Sequence, residues 1–319
     1  MRIAFFGSGA FGLPTLQSLA RAHNLVGIIS QPDKPAGRGG HLTPTSIAQW
    51  AAAHLPAVPL LKPDRCSSPE SASLIHAIPA DAWIVIAFGQ KLSRALLADR
   101  FAVNLHASLL PRWRGAAPIN AAILAGDTQT GNSIITLADR MDAGLILAQS
   151  RRVIPPDITA GQLHDLLASD GPSLVSQVLD AHAAGRDSPR AQDESLVTTA
   201  PKLAKSDGWL NFTDSVEACR RRINGLSPWP GVTVHFRAQP LKLLRATTAP
   251  PTTGPAHPPG AILSPADGLV ACADSTLQIL DVQPAGKRAM PWRDFANGHR
   301  VQSQELLAGG PPPCSPSGT

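Results

Sequence analysis

Two residues with usable chemistry, Asn104 and His106, close the short run Val103-Asn104-Leu105-His106. On an extended chain successive side chains alternate faces, so this spacing aims an amide and an imidazole to the same side. A carboxylate follows at Asp142, in the glycine-containing turn Met141-Asp142-Ala143-Gly144. An amide that donates, an imidazole that carries a proton and a carboxylate that orients it suit acyl transfer without a covalent intermediate. Each residue taken singly also has a structural use: a strand-end histidine is commonly satisfied within the fold, and Asn104 or Asp142 serves equally well to tie a turn. Other chemistries find less support. No G-x-S-x-G elbow surrounds Ser108, and His106 stands at no metal-ligand spacing from His164 or His182. Cys66, Cys219, Cys272 and Cys314 form no C-x-x-C pair and read as unpaired thiols, so no metal site is expected.

These residues need elements to carry them. With 319 residues and 43% hydrophobic content, the chain has room for two domains with separate cores. Its first half alternates strand-like runs (Ile3–Phe6, Leu25–Ile29, Trp83–Ala87, Val103–Leu105, Ser133–Leu137) with helical patterns (Leu13–Ala22, Pro44–Ala53, Leu92–Leu97, Pro118–Leu124). That alternation predicts an open, mostly parallel, Rossmann-like α/β sheet, in which ligands gather beyond the carboxyl ends of the strands. Asn104 and His106 fall at such an end. Apolar residues at helical spacing predict a long helix over Ala160–Ala183. After Lys205 short strand-like runs separated by turn formers predict a small β-barrel or sandwich. The expected division is a catalytic domain over 1–184, a polar linker over 185–205, a barrel over 206–305 and a disordered Pro/Ser/Gly-rich tail over 306–319. No apolar run approaches the length of a membrane span, and Met1-Arg2 leaves no room for a signal sequence before the first strand, so a cytoplasmic protein is expected. The formal net charge of +5 permits a polyanionic partner without demanding one. Tyrosine is absent, for which the sequence offers no physical reason.

One motif points elsewhere. Gly7-Ser8-Gly9-Ala10-Phe11-Gly12 has the G-x-G-x-x-G spacing of a dinucleotide fingerprint between a strand and a helix. The second strand, however, leads into Ser30-Gln31-Pro32-Asp33, where no acid closes the strand to read a ribose. The favoured reading is a glycine turn that packs a helix closely on a strand.

The run from Asn104 to Ile119, Asn-Leu-His-Ala-Ser-Leu-Leu-Pro-Arg-Trp-Arg-Gly-Ala-Ala-Pro-Ile, closely resembles the signature of the methionyl-tRNA formyltransferase family, N-x-H-x-S-L-L-P-R-W-R-G-A-A-P-I. Gln31–Gly39 is similar to that family's insertion after the second strand, Asn224–Gly231 to its R-A-F-N-P-W-P-G segment, and Gln283–Met290 to its Q-P-A-G-K-K-x-M segment. The matches run in order from the first strand to about Arg300. The resemblance implies a formyltransferase domain that uses 10-formyltetrahydrofolate without a metal, followed by an OB-like barrel that helps grip initiator methionyl-tRNA. It implies a catalytic trio of Asn104, His106 and Asp142, and a folate site at Ser108, Leu109, Leu110 and Pro111 with Phe88 and Gly89. It further implies a tRNA contact at Arg38; Lys34, Arg112, Arg114, Lys287 and Arg288 are added as basic candidates for phosphate. A monomer is expected. The insertion, Gln31–His41, reads as a loop that takes its order from a partner. Departures from the family pattern are Ala107 for a usual glycine, Ala138 for an acid, Phe88 for a tyrosine and Ser227 for an asparagine; none touches the trio. Three rival readings compete with this one. A formyltransferase acting on a sugar nucleotide or glycinamide ribonucleotide would share the trio but not the Trp113–Ala117 wording, the insertion or the barrel. A dehydrogenase would rest on Gly7–Gly12 alone. A non-catalytic RNA-binding protein would have no need of an intact trio.

Overall fold

The computed structural model describes residues 1–36, 40–250 and 257–310, and the chain divides into two compact units. One comprises Met1–Gly115, Thr130–Arg152 and His164–Thr199; the other takes Ala116–Gln129, Val153–Leu163 and the chain from Ala200 onward. Contact therefore divides the chain differently from the single break at 185–205 that composition suggests. Arg38 and the tail beyond residue 310 lie outside the described residues.

The first unit is built on β1 (Arg2–Gly7), α1 (Leu13–Ala22) and β2 (Asn24–Ile29). Ile3, Ala4, Phe5 and Phe6 are all buried, the continuous apolar run that a parallel strand covered on both faces requires. Next come a hairpin of β3 (Lys34–Ala36) and β4 (His41–Thr43), then α2 (Ser46–His54), β5 (Leu60–Leu61) and α3 (Pro69–His76). Lys34, Pro35 and Ala36 pair with Thr43, Leu42 and His41, so the ends of the segment expected as a loop ordered by a partner are hairpin strands, while residues 37–39 lie outside the described residues. Thr45 caps α2 and Ser68 caps α3, each side-chain oxygen accepting an otherwise orphaned N–H. The chain continues through β6 (Ala82–Ile86), α4 (Arg94–Leu97), β7 (Ala102–His106) and the short β8 (Arg114–Gly115). After α5 (Pro118–Ala125), which groups with the second unit, come β9 (Gln129–Thr136), β10 (Ile146–Val153) and α6 (Ala160–Ala183). The sheet order is β10-β9-β7-β6-β1-β2-β5, with β9 antiparallel to β7 and the pairs from β7 to β5 parallel. α6 packs closely at Gly171 on both α1 and this sheet, where a Cβ would stand 2.7 Å from Thr15 Oγ1 of α1 and 3.1 Å from Leu105 Cδ2 of β7. Leu105 points away from Asn104 and His106, so α6 supports β7 from the face opposite those two side chains.

The second unit follows β11 (Thr199–Ala200), which pairs with β8. α7 (Val216–Gly225) begins at the Ser215 cap and buries Val216, Cys219 and Ile223 in the core. Strands β12 (Val232–Phe236), β13 (Gln239–Ala249), β14 (Ile262–Ser264), β15 (Leu269–Ala271), β16 (Thr276–Pro284) and β17 (Met290–Pro291) precede α8 (Trp292–His299) and β18 (Leu307–Ala308). They pair antiparallel in the order β14-β15-β16-β13-β12-β18, and a register shift around Arg245 bends β13. The two ends of that order meet: Ala261 bridges Leu306, Ile262 N–H donates to Glu305 O, and Leu307 N–H donates to Gly260 O. The sheet thus closes into a barrel, as OB-like folds do to remove their edges. The disordered tail expected from residue 306 gives way here, because Leu307 is buried in the core and its backbone completes the barrel. No helix among the described residues is long and apolar enough to cross a membrane.

Candidate active site

β7 delivers Asn104 and His106 to one face at its carboxyl end, beside the carboxyl end of its parallel neighbour β6. His106 is buried, with 7% exposure. Its Nε2 lies 2.8 Å from the Trp113 carbonyl. A carbonyl only accepts, so Nε2 carries the hydrogen and Nδ1 is left to face Asp142 Oδ2 at 3.6 Å. That separation is an ion-pair distance rather than a hydrogen bond. Asp142 Oδ2 also accepts from Gly115 N–H at 2.9 Å, while Oδ1 is met by Asn104 Nδ2 at 3.5 Å. The carboxylate is therefore the hub of the trio.

Asp142 reaches this position because the chain doubles back after β9. Thr136 N–H donates to Leu145 O and Leu145 N–H donates to Thr136 Oγ1, both at 2.9 Å, so residues 137–144 form a closed excursion. Within it Asp142 adopts φ +53°, the left-handed region that L residues other than Asn and Asp seldom occupy. Gly144 sits where a Cβ would fall 1.7 Å from Thr136 O, so only glycine fits there.

The residues expected at a folate site lie on the loops that leave β6 and β7. Ser108 is fully buried and its hydroxyl donates to Arg112 O at 2.6 Å, so its side chain shapes the loop and does not face a ligand. Leu110 packs with Ile135 and Ile146, while Leu109 and Pro111 are half-buried. The Phe88 ring is core, edge-on to Phe6 at 5.7 Å, and Gly89 is exposed at φ +78°. The Phe88 carbonyl accepts from Ser8 Oγ and Gln31 Nε2, which ties the Gly7–Gly12 turn to this loop. Gly7 and Gly12 touch the Phe5 ring closely enough that a Cβ would stand 2.5 and 3.1 Å from it. Close packing thus accounts for the G-x-G-x-x-G spacing.

The basic candidates separate. Lys34 is exposed on the hairpin and bonded to Gln31, and Lys287 and Arg288 are exposed in the second unit. Arg112 is exposed over the Trp113 ring, with its guanidinium carbon 5.1 Å from the ring centre. Arg114 corrects its expectation: it is 6% exposed, and its guanidinium is bonded to Gln192 Oε1 and to Glu194. The segment read as a linker is what receives it. Arg190 bridges Ile146, and Thr198 accepts Arg114 N–H on its carbonyl and Trp113 N–H on its hydroxyl. Pattern reading passes over this segment because it docks through polar groups and carries no apolar period. Among the described residues, no three His, Cys, Asp or Glu side chains converge as a metal site would require.

The model of the formyl transferase family matches residues 1–179, and that of the formyl transferase C-terminal domain matches residues 202–300. The methionyl-tRNA formyltransferase of Methylococcus capsulatus is 39% identical over 310 residues, covering 96% of this chain and 99% of that protein. That of Acidithiobacillus ferrooxidans is 39% identical over 311 residues, covering 96% and 98%. Among solved structures, the sugar 3N-formyl transferase WlaRD aligns with a TM-score of 0.68 at 14% identity over 90% of this chain and 99% of that one. HypX from Aquifex aeolicus in complex with tetrahydrofolic acid aligns with a TM-score of 0.66 at 15% identity, over 96% of this chain and 48% of that one. At these identities the two structures speak for the fold.

Proposed function

The chain belongs to the methionyl-tRNA formyltransferase family, an enzyme family of protein synthesis, and on that premise we propose how its residues carry the transfer. The formyl donor is 10-formyltetrahydrofolate, and the acceptor is the free amino group of methionine on initiator methionyl-tRNA. The loops 87–90 and 107–111 suit such a donor. Ser8, Gln31 and Ser108 bond to main-chain carbonyls, so the lining left is main chain with half-buried Leu109 and Pro111. A flat heterocycle laid against Leu109 and Pro111 fits that character. Phe88, Gly89 and Ser108–Pro111 would line it, while the carbonyls of Phe88, Ser108, Leu109 and Leu110 stay bonded within the protein and fix the shape of the two loops. When bound, the folate supplies the formyl carbon as the electrophile.

The protein's own part is orientation and charge. An α-amino group titrates around pH 8, so the acceptor is partly neutral near pH 7 and needs less activation than a lysine. Asn104 Nδ2 has a second N–H beyond the one directed at Asp142, and that hydrogen is the donor for charge developing on the formyl oxygen. His106, fixed through Nε2 on the Trp113 carbonyl, holds or moves a proton at Nδ1. Asp142 balances positive charge on that ring and keeps the amide and imidazole in register. Lys34, Arg38, Arg112, Lys287 and Arg288 are the phosphate contacts, with affinity that falls as salt rises.

The observation that carries this reading is the convergence of Asn104, His106 and the Gly115 amide on one partly buried carboxylate. The experiment is formyl transfer from 10-formyltetrahydrofolate to charged initiator tRNA by the His106→Ala variant. Turnover should fall by about 10²–10³-fold, the usual loss for one such group, with folate affinity unchanged. Transfer within about threefold of the parent would remove His106 from the mechanism.

A further inference from the structure

Asp142 has its backbone in the left-handed region, and the excursion around it has few bonds of its own. Apart from the closure at Thr136 and Leu145, one long bond spans it, from Ala143 N–H to Arg140 O at 3.3 Å. Asn104 and the Gly115 N–H hold the Asp142 carboxylate and Arg94 pairs with Asp139, while the main chain of the turn is held by the segment 190–198. Gln192 Nε2 donates to Asp142 O at 2.7 Å and to Gly144 O at 2.8 Å, taking up two carbonyls of the turn with one amide nitrogen.

The orientation of that amide is itself determined. Were the side chain flipped, its oxygen would face the two carbonyls, acceptor against acceptor. Arg114 excludes the flip, because its Nε and Nη2 donate to Gln192 Oε1 at 3.0 and 2.8 Å and a guanidinium has no acceptor to offer. Glu194 holds Arg114 at 2.8 Å and also takes Arg140, two residues before Asp142, at 3.0 Å. Gly115, next to Arg114, grips the Asp142 carboxylate through its N–H. The same segment reaches His106, since Thr198 accepts the N–H of Trp113 and the carbonyl of Trp113 holds Nε2. The main-chain frame of Asp142 and the ring of His106 are thus referenced to one strap of chain.

We propose that Gln192, with its amide set by Arg114 and Glu194, is a positioning residue for formyl transfer, acting through the Asp142 carboxylate. The assignment rests on the trio as read above. Gln192→Glu keeps an acceptor for Arg114 but sets a carboxylate against two carbonyls; Gln192→Leu removes both halves and serves if the first variant folds poorly. Misplacing a catalytic group by about an ångström costs on the order of 10²-fold, so kcat should fall by about 10- to 100-fold. KM for folate and for charged tRNA should stay within about twofold, and the circular dichroism spectrum should be retained.

The deciding measurement is a double-mutant cycle with Asp142→Asn, in which the carboxylate to be positioned is gone. There Gln192→Glu should cost less than about threefold in kcat. The same fold-loss in both backgrounds overturns the proposal, since an effect on folding alone would not depend on Asp142. So does a kcat within about threefold of the parent for both Gln192 variants. If instead Asp142→Asn by itself leaves kcat within about threefold, the trio reading fails and the role of Gln192 falls with it.

Discussion

Two arginines, Arg112 and Arg114, look alike in sequence, yet burial sends them to different tasks. Arg112 is exposed over an indole face, while Arg114 is enclosed and bonded to Gln192 and Glu194. Residue type and spacing announce a cation at each position but do not say which way it turns. The consequence can be measured against salt. A cation that neutralises a phosphate adds nearly one unit to the slope of log affinity against log salt concentration. Arg112→Ala should make that slope for charged tRNA shallower by about one unit, and Arg114→Ala should leave it unchanged. Arg114→Ala should instead lower stability by about 1–3 kcal/mol, because it strips Gln192 Oε1 of its donors, and should reduce turnover with it. A slope changed by one unit at Arg114 would return it to the phosphate set.

At the scale of elements, the apolar period is what made the fold legible. The helix over Ala160–Ala183 is found at the bounds its leucines and valines predict, and β1 and β7 lie where their apolar runs place them. That Asn104 and His106 share a face could be read for a related reason, since alternation along β7 is geometry that any strand enforces, and the wording around it is specific to a family. Elements that dock through polar groups or single side chains were not legible. Gln192 sits in a run with no period, and Leu307 is a lone buried leucine before a Gly/Pro-rich stretch. The hairpin of β3 and β4 pairs residues whose described side chains are mostly exposed, which leaves no inside face to pattern. Leu307 gives the test at this scale. It is 2% exposed, and its N–H closes the barrel on Gly260. Leu307→Ala should cost about 2–5 kcal/mol, as cavity-forming changes do. Chemical denaturation of the variant against the parent measures it; a cost under about 0.5 kcal/mol, the scatter of surface changes, would make β18 a dispensable edge.

At the scale of the whole molecule, the chain crosses repeatedly between its two units, and this bears on how the barrel's part in tRNA binding can be tested. By composition, cutting after Ala200, near the end of the polar segment, isolates a catalytic domain. The contacts say otherwise. α5 precedes the cut but belongs with the second unit: Ile123 and Leu124 lie against Gly225 of α7, and Asn120 Nδ2 donates to Gly225 O at 2.7 Å. Leu124 also packs on the barrel core. Removing everything beyond Ala200 leaves these side chains without the surface they were folded against. Exposing a buried aliphatic side chain costs about 1.5–3 kcal/mol, and whole domains are stable by only about 5–15 kcal/mol. Buried Ile123 and half-buried Leu124 together consume an appreciable share of that margin. A fragment ending at Ala200 should therefore melt about 10 °C or more below the full chain, bind a dye specific for exposed apolar surface, and hold folate weakly for want of folding. A midpoint within about 2 °C of the full chain, with folate affinity intact, would show that α5 does not need α7. The barrel's contribution is then best read in the intact chain, where Lys287→Ala with Arg288→Ala should weaken tRNA and make the salt slope shallower by about two units, with turnover at saturating tRNA unchanged.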